Sequence, residues 1–199
     1  MKELRFSSKP TLIIPVFLIL VLNLFACAPF RVGAPSQRAF PEKAFLTKSY
    51  HAKVSRWKSY EDLVKWMEKD FSFDMERYKK FEGTLPIPRT PEETLYLKSG
   101  IYIDAAEFSK KTLNQINPLY QAQIVVIIVR PNTFNHYVCS FRDTGRLFIL
   151  DYGTPYKETT GFLGPYHSLE EYKSFYENHH PEKRHVEWVG YLLKDSEKR

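Results

Sequence analysis

Cysteine and glycine are both scarce. The 199 residues include two cysteines, Cys27 and Cys139, and 8 glycines. Two cysteines can neither staple a disulfide-rich mini-protein nor build a multi-cysteine zinc site, and no glycine-rich loop of the phosphate-cradling kind occurs. There is no internal repeat, low-complexity block or nucleic-acid-binding motif. No apolar run reaches the roughly 20 residues of a comfortable membrane span. What remains is ordinary globular composition, 43% apolar and 26% charged, with aromatics high at 16%. That excludes a disordered or collagen-like chain and leaves material for one domain with a sizeable core. The net charge of +6 is a mild bias, weak support for an anionic partner.

Charge and hydropathy change sharply at the N-terminus. Lys2, Arg5 and Lys9 precede an apolar run from Leu12 to Phe25, interrupted by Pro15 and Asn23. A cationic segment followed by an apolar one is the pattern of a secretory signal. The run ends in Leu24-Phe25-Ala26-Cys27, which resembles the lipobox of bacterial lipoproteins, although Phe25 is bulkier than the usual occupant of its position. The resemblance implies removal of residues 1–26 as a signal peptide, lipidation of Cys27, and a membrane-anchored lipoprotein of the cell envelope. Ala28 stands where inner-membrane lipoproteins often carry Asp, which favours an outer membrane, periplasm-facing place in a Gram-negative cell. Removal would lower the net charge by two, since Lys2, Arg5 and Lys9 leave with Glu3. An uncleaved anchor helix with a passive Cys27 is the alternative, and it too tethers the chain. Residues 27–44 hold three prolines and no periodic apolar face, so they read as a tether to a domain over residues 45–199. With Cys27 lipidated, Cys139 has no intramolecular partner and is best buried.

Periodicity places the elements. Residues 57–81 read as one helix, with Tyr60, Leu63, Val64, Met67 and Phe71 at three-to-four spacing. Pro86 and Pro88 prevent its continuation. Thr90-Pro91-Glu92-Glu93 has the form of a capping box with proline in the first turn. Gly100 ends that short helix, and another is expected from Asp104 to about Asn117. Residues 123–130 contain a continuous β-branched run that suits a strand buried on both faces. Strands at 134–141 and 146–152 follow, joined by a turn over 142–145. Ser168-Leu169-Glu170-Glu171 is a second capping box opening a helix to about Glu177, and 185–193 is a last strand. Helices followed by a mainly antiparallel sheet make the fold class α+β.

The hairpin carries a functional implication. Either a two-residue loop at Asp143-Thr144, pairing Arg142 with Gly145, or a four-residue loop over 142–145, pairing Phe141 with Arg146, sets His136 directly opposite Asp151, their Cβ atoms about 4.5–5.5 Å apart. A carboxylate there fixes the tautomer of the imidazole and stabilises its protonated form. Alternation along the strand turns Cys139 to the opposite face, so it is a poor partner for this histidine.

Gly100-Ile101-Tyr102-Ile103-Asp104-Ala105-Ala106, then His136-Tyr137-Val138, then Leu150-Asp151-Tyr152-Gly153 resemble the bacterial transglutaminase-like cysteine peptidases. Their pattern is Gly-x-Cys-x-Asp-x-Ala at a helix start, a His strand, and an Asp on the next strand. Arg89-Thr90-Pro91-Glu92-Glu93-Thr94-Leu95 resembles the segment leading into it, and the likeness spans roughly residues 60–156. It implies a transglutaminase/papain-like core with Tyr102 at the nucleophile position, His136 and Asp151 as the other triad positions, and Gly100, Asp104 and Tyr137 as cleft-lining residues. It implies no cofactor and no metal. A protonated phenol replaces the family's thiolate, so the resemblance implies a pseudoenzyme that binds a peptide, a cell-wall component or a protein. The rivals are an active amide-bond hydrolase or acyltransferase with a non-cysteine nucleophile, and a purely structural lipoprotein.

The other polar clusters have plainer readings. Asp104 falls in the first turn of its helix, where capping is the default role. His179, His180 and His185 lie around Pro181 without a metal-ligand spacing and read as a polar loop. Glu92-Glu93 and Glu170-Glu171 belong to helix starts, and Lys79-Lys80 to solvated surface.

Overall fold

The computed structural model describes residues 40–81, 84, 86–130 and 134–192. The expected signal peptide, Cys27 and the tether up to residue 39 lie outside the described residues. So does the charged C-terminal end.

The β-branched run forms β3 (Gln123–Arg130), which pairs antiparallel with β4 (Phe134–Asp143) on one side and β7 (His185–Tyr191) on the other. With β5 (Arg146–Asp151) and β6 (Gly161–Tyr166), the sheet order is β6-β5-β4-β3-β7. Alternation along the strands sorts the core into two layers. Cys139, Phe141, Leu150 and Tyr152 pack with Tyr50, Leu63, Trp66, Met67, Phe108 and Leu113. These come from α1 (Lys43–Val54), α2 (Tyr60–Asp70) and α5 (Tyr102–Ile116). Val125, Ile127, Val138, Leu147 and Ile149 face the other way, onto Tyr172 and Tyr176 of α6 (Leu169–His179). Helices on both faces of an antiparallel sheet make the protein α+β. No described helix is long and apolar enough to cross a membrane.

The first expected capping box forms in full; the second forms by half, since the Glu171 carboxylate accepts from the His167 amide rather than from that of Ser168. Thr90 accepts from the Glu93 amide and opens α4 (Pro91–Leu97); Ser168 does the same for α6 through Glu171. Three expectations need correction. The helix foreseen over 57–81 is interrupted after Asp70, because Ser72–Phe73 (β1) pairs parallel with Ser99–Gly100 (β2). Asp74 then restarts a helix, α3 (Met75–Lys80), by accepting from the Arg77 amide at 3.0 Å. Helix α1 was not foreseen, and it opens at Lys43, inside the stretch read as tether. The hairpin turns on Thr144-Gly145, both with positive φ (49° and 79°), and pairs Asp143 with Arg146. Two positive φ values are what a tight turn of this kind requires. The register is therefore offset by two residues, and His136 is not directly opposite Asp151. A shift of two preserves the face.

Burial pushes the phenols of Tyr50, Tyr102 and Tyr166 up to about 12, from an ordinary value near 10. The folded chain thus holds these protons more tightly than the unfolded chain does. The associated stabilisation is complete below about pH 10 and lost as pH rises through about 12. The urea midpoint should fall steadily above about pH 10; a flat midpoint through about pH 12 would contradict the buried, neutral state of these tyrosines.

Candidate functional site

Asp104 organises the start of α5. Its carboxylate is fully buried and accepts from the Ile101 amide at 3.0 Å, the Arg89 amide at 2.7 Å, and Arg77 Nε and Nη2 at 2.7 and 3.1 Å. The Arg89 guanidinium in turn pairs with Asp74 at 2.8 Å and donates to the Ser99 carbonyl at 3.0 Å. The β1–β2 pair and the Asp74 cap therefore bring α3 and the chain before α4 onto the first turn of α5. Gly100 is required here by space: a Cβ on it would lie 2.7 Å from Asp104 Cβ.

Tyr102, the first residue of α5, is held by a second close approach. A Cβ on Gly153 would fall 2.1 Å from Tyr102 Cα and 2.4 Å from its amide nitrogen. Gly153 follows the end of β5, so the start of α5 presses against the point where that strand stops. There the Tyr102 ring stacks on Tyr137 at 5.8 Å, with Tyr78 and His136 edge-on at 6.5 and 5.9 Å. Burial first, then the neighbouring Tyr78, Tyr137 and Asp104, set the high pKa of its phenol.

His136 and Asp151 do meet. The offset register makes them diagonal rather than opposed, a separation long side chains can span, and Nε2 lies 2.8 Å from Asp151 Oδ2. A carboxylate can only accept, so the proton sits on Nε2. Both side chains are almost completely enclosed, 3% and 0% exposed. Tyr176 of α6 stacks on the imidazole at 5.8 Å. Asp151 Oδ1 and the Tyr172 hydroxyl are buried without hydrogen-bond geometry to a described partner. They are near enough to interact, and burial followed by the Asp151 charge drives the Tyr172 phenol well up.

Around His136 lies a pocket lined by Tyr78, Tyr102, Tyr156, Tyr176, His180 and Arg184, with Gly153-Thr154-Pro155 as one wall. Its free volume is about 20 Å³, enough for one water molecule. Thr154 also borders an open groove of about 390 Å³ over Met67, Phe71, Phe73 and Tyr152. Of the residues expected at the site, Tyr102, His136 and Asp151 are brought together. Gly100, Asp104 and Tyr137 do not line the pocket: Asp104 is saturated with donors beneath it, Gly100 lies against Asp104, and Tyr137 is stacked behind Tyr102.

A family model described as a transglutaminase-like domain matches residues 44–178. The chain belongs to this family. No curated protein matches it.

The transglutaminase-like match ends before His180 and Arg184, and both were missed as site residues. His180 is 1% exposed rather than part of a polar loop. Its ring packs on Tyr156 and Tyr176 at 4.6 and 5.1 Å, and burial, then the Arg184 charge, lower its pKa. The available signal was spacing: Tyr172, Tyr176 and His180 recur every four residues, one row on a helix face. Among the described residues no cluster suits a metal ion.

Asp104→Ala leaves Arg77 and two amides without their acceptor. It should cost about 3–5 kcal/mol in urea unfolding, as expected for removing one partner of a buried ion pair. Asp104→Ala within 1 kcal/mol of wild type would remove Asp104 from its organising role.

Proposed function

We propose that this protein is a lipoprotein tethered to a membrane through Cys27, whose transglutaminase-like domain is catalytically inactive and binds a peptide, cell-wall or protein partner at the His136 cleft. The observation that carries this reading is Tyr102. By the family resemblance, it stands where the nucleophilic cysteine belongs. A phenol with a pKa of about 12 is almost wholly protonated at neutral pH. Its ring also fills the space a carbonyl carbon would enter, leaving room for one water. Cys139 offers no substitute: it is fully buried on the opposite strand face from His136, and burial pushes its thiol up. The His136–Asp151 pair favours a rival, an amide-bond enzyme with another nucleophile, since a binding protein has less need of an oriented imidazole.

Turnover separates the two. Assayed for amide hydrolysis and for amine crosslinking, the protein should show no rate that His136→Ala abolishes; a His136-dependent rate would establish the rival. The alignment of residue 102 has its own test. In a Cys27→Ser, Cys139→Ser background, the thiol of Tyr102→Cys should titrate well below about 8.5 and rise when His136→Ala is added. A thiol indifferent to His136 would place the nucleophile position elsewhere. For the anchor, labelled palmitate should enter the wild-type protein in bacterial cells and not Cys27→Ser; equal labelling would refute lipidation at Cys27.

A further inference from the structure

The loop after β5 and the turn between α6 and β7 meet at the pocket. Tyr156, from the first, donates its hydroxyl to Glu182 Oε1 at 2.5 Å. Arg184, from the second, reaches Glu182 Oε2 through Nε at 2.8 Å and Nη2 at 2.6 Å. Both oxygens of one carboxylate are thus engaged by two residues that line the pocket around His136.

The pair is unlike an ordinary surface ion pair, in which both charges are solvated. The Arg184 side chain is 19% exposed and the Glu182 side chain 48%. The cation is set into the pocket wall with Tyr156, Tyr176 and His180, and the carboxylate comes to it from the solvent side. Backbone geometry supports the arrangement. Lys183, between the two, has φ of +50°, a conformation that side-chain-bearing residues disfavour. The turn is held by the Lys183 amide on the His180 carbonyl at 2.9 Å and the Glu182 amide on His180 Nδ1 at 3.2 Å. The residue that supplies the carboxylate is therefore tied to a histidine of the pocket.

We propose that Arg184 and Tyr156 form a carboxylate subsite at the His136 pocket, that Glu182 occupies it as an internal stand-in, and that the ligand carries a carboxylate that replaces Glu182. This rests on reading the cleft as a binding site. A guanidinium presents a planar fork that matches a carboxylate, and the tyrosine hydroxyl adds a further donor. Exchanging one carboxylate for another leaves the local charge unchanged, so the contacts made by the rest of the ligand decide the outcome. Displacing Glu182 also widens the approach to a pocket that has room for one water molecule. The ligand's carboxylate is a peptide C-terminus or an acidic side chain.

The test is a titration followed by the ring-proton NMR signals of His136 and His180. Three probes are used: N-acetylalanine for a C-terminus, N-acetylglutamic acid α-amide for an acidic side chain, and N-acetylalanine amide as the neutral control. Removing the tethered competitor in Glu182→Ala should tighten binding of one or both carboxylates about tenfold over wild type, with no binding of the amide. Adding Arg184→Ala should abolish the gain. Whichever carboxylate gains more identifies the source. Glu182→Gln keeps the side-chain shape and should show the same direction of change if Glu182→Ala does not fold. Binding that is no tighter in either variant, or equal binding of the amide, overturns the subsite and leaves the inactivity of Tyr102 standing. Turnover by the wild-type protein would do the reverse.

Discussion

A carboxylate with no access to water holds this domain's site together. Asp104 sits in the first turn of α5, where the unpaired amides of the helix already favour an anion. Its four donors come from Arg77 on α3, the backbone of Arg89, and the Ile101 amide that precedes the helix. Burial of a charge is tolerable only when its lone pairs are satisfied in this way. Two further features depend on it. Gly100 has to lack a side chain because Asp104 Cβ occupies the space, and β1 pairs with β2 in the stretch that delivers Arg77. The position and direction of Tyr102 follow, since it is fixed between the Asp104 turn and the backbone of Gly153.

Much of this was legible because local chemistry decides it. The β-branched run of β3, the caps at Thr90 and Ser168, and the face shared by His136 and Asp151 all follow from neighbouring residues. The hairpin register was read wrongly because Asp143-Thr144 and Thr144-Gly145 are both acceptable turn pairs. The second is the one that forms, with Gly145 at a positive-φ position that suits it, and the His–Asp contact survives because the offset is even. Helix α1 was hidden because its buried residues, Leu46, Tyr50 and Val54, come only once per turn, while Phe45 is 55% exposed. Its burial is decided by partners distant in sequence, such as Thr112, which hydrogen-bonds Tyr50 at 3.0 Å. The break at Ser72–Phe73 is equally non-local, since its partner strand lies more than twenty residues away.

His180 shows the limit of reading polar residues as surface. Beside His179 and Pro181 it looks solvated, yet α6 carries it onto Tyr156 and Tyr176, whereas His179 stacks on Phe175 at 4.2 Å on an exposed face. One residue along a helix rotates a side chain by about 100°, and that rotation separates a pocket wall from solvent. The same geometry places Tyr172 and Tyr176 on the His136–Asp151 pair. The pair is therefore packed from behind by an aromatic row, which holds the imidazole in place whether or not it takes part in chemistry.

Two effects compete at Tyr102, and their magnitudes decide its chemistry. The N-terminus of α5 favours an anion by about 0.3–1 kcal/mol, which alone would lower the phenol pKa. Burial acts the other way, and a rise from 10 to about 12 corresponds to ~3 kcal/mol against the phenolate. Desolvation wins because the ring is enclosed by Tyr78, Tyr137 and His136. The helix end that would activate a small thiol thus carries a phenol that stays protonated at neutral pH. The space in front of His136 is filled by the Tyr102 ring, stacked on Tyr137. Under the binding reading proposed above, a ligand would be held at the mouth of the cleft, in front of this ring.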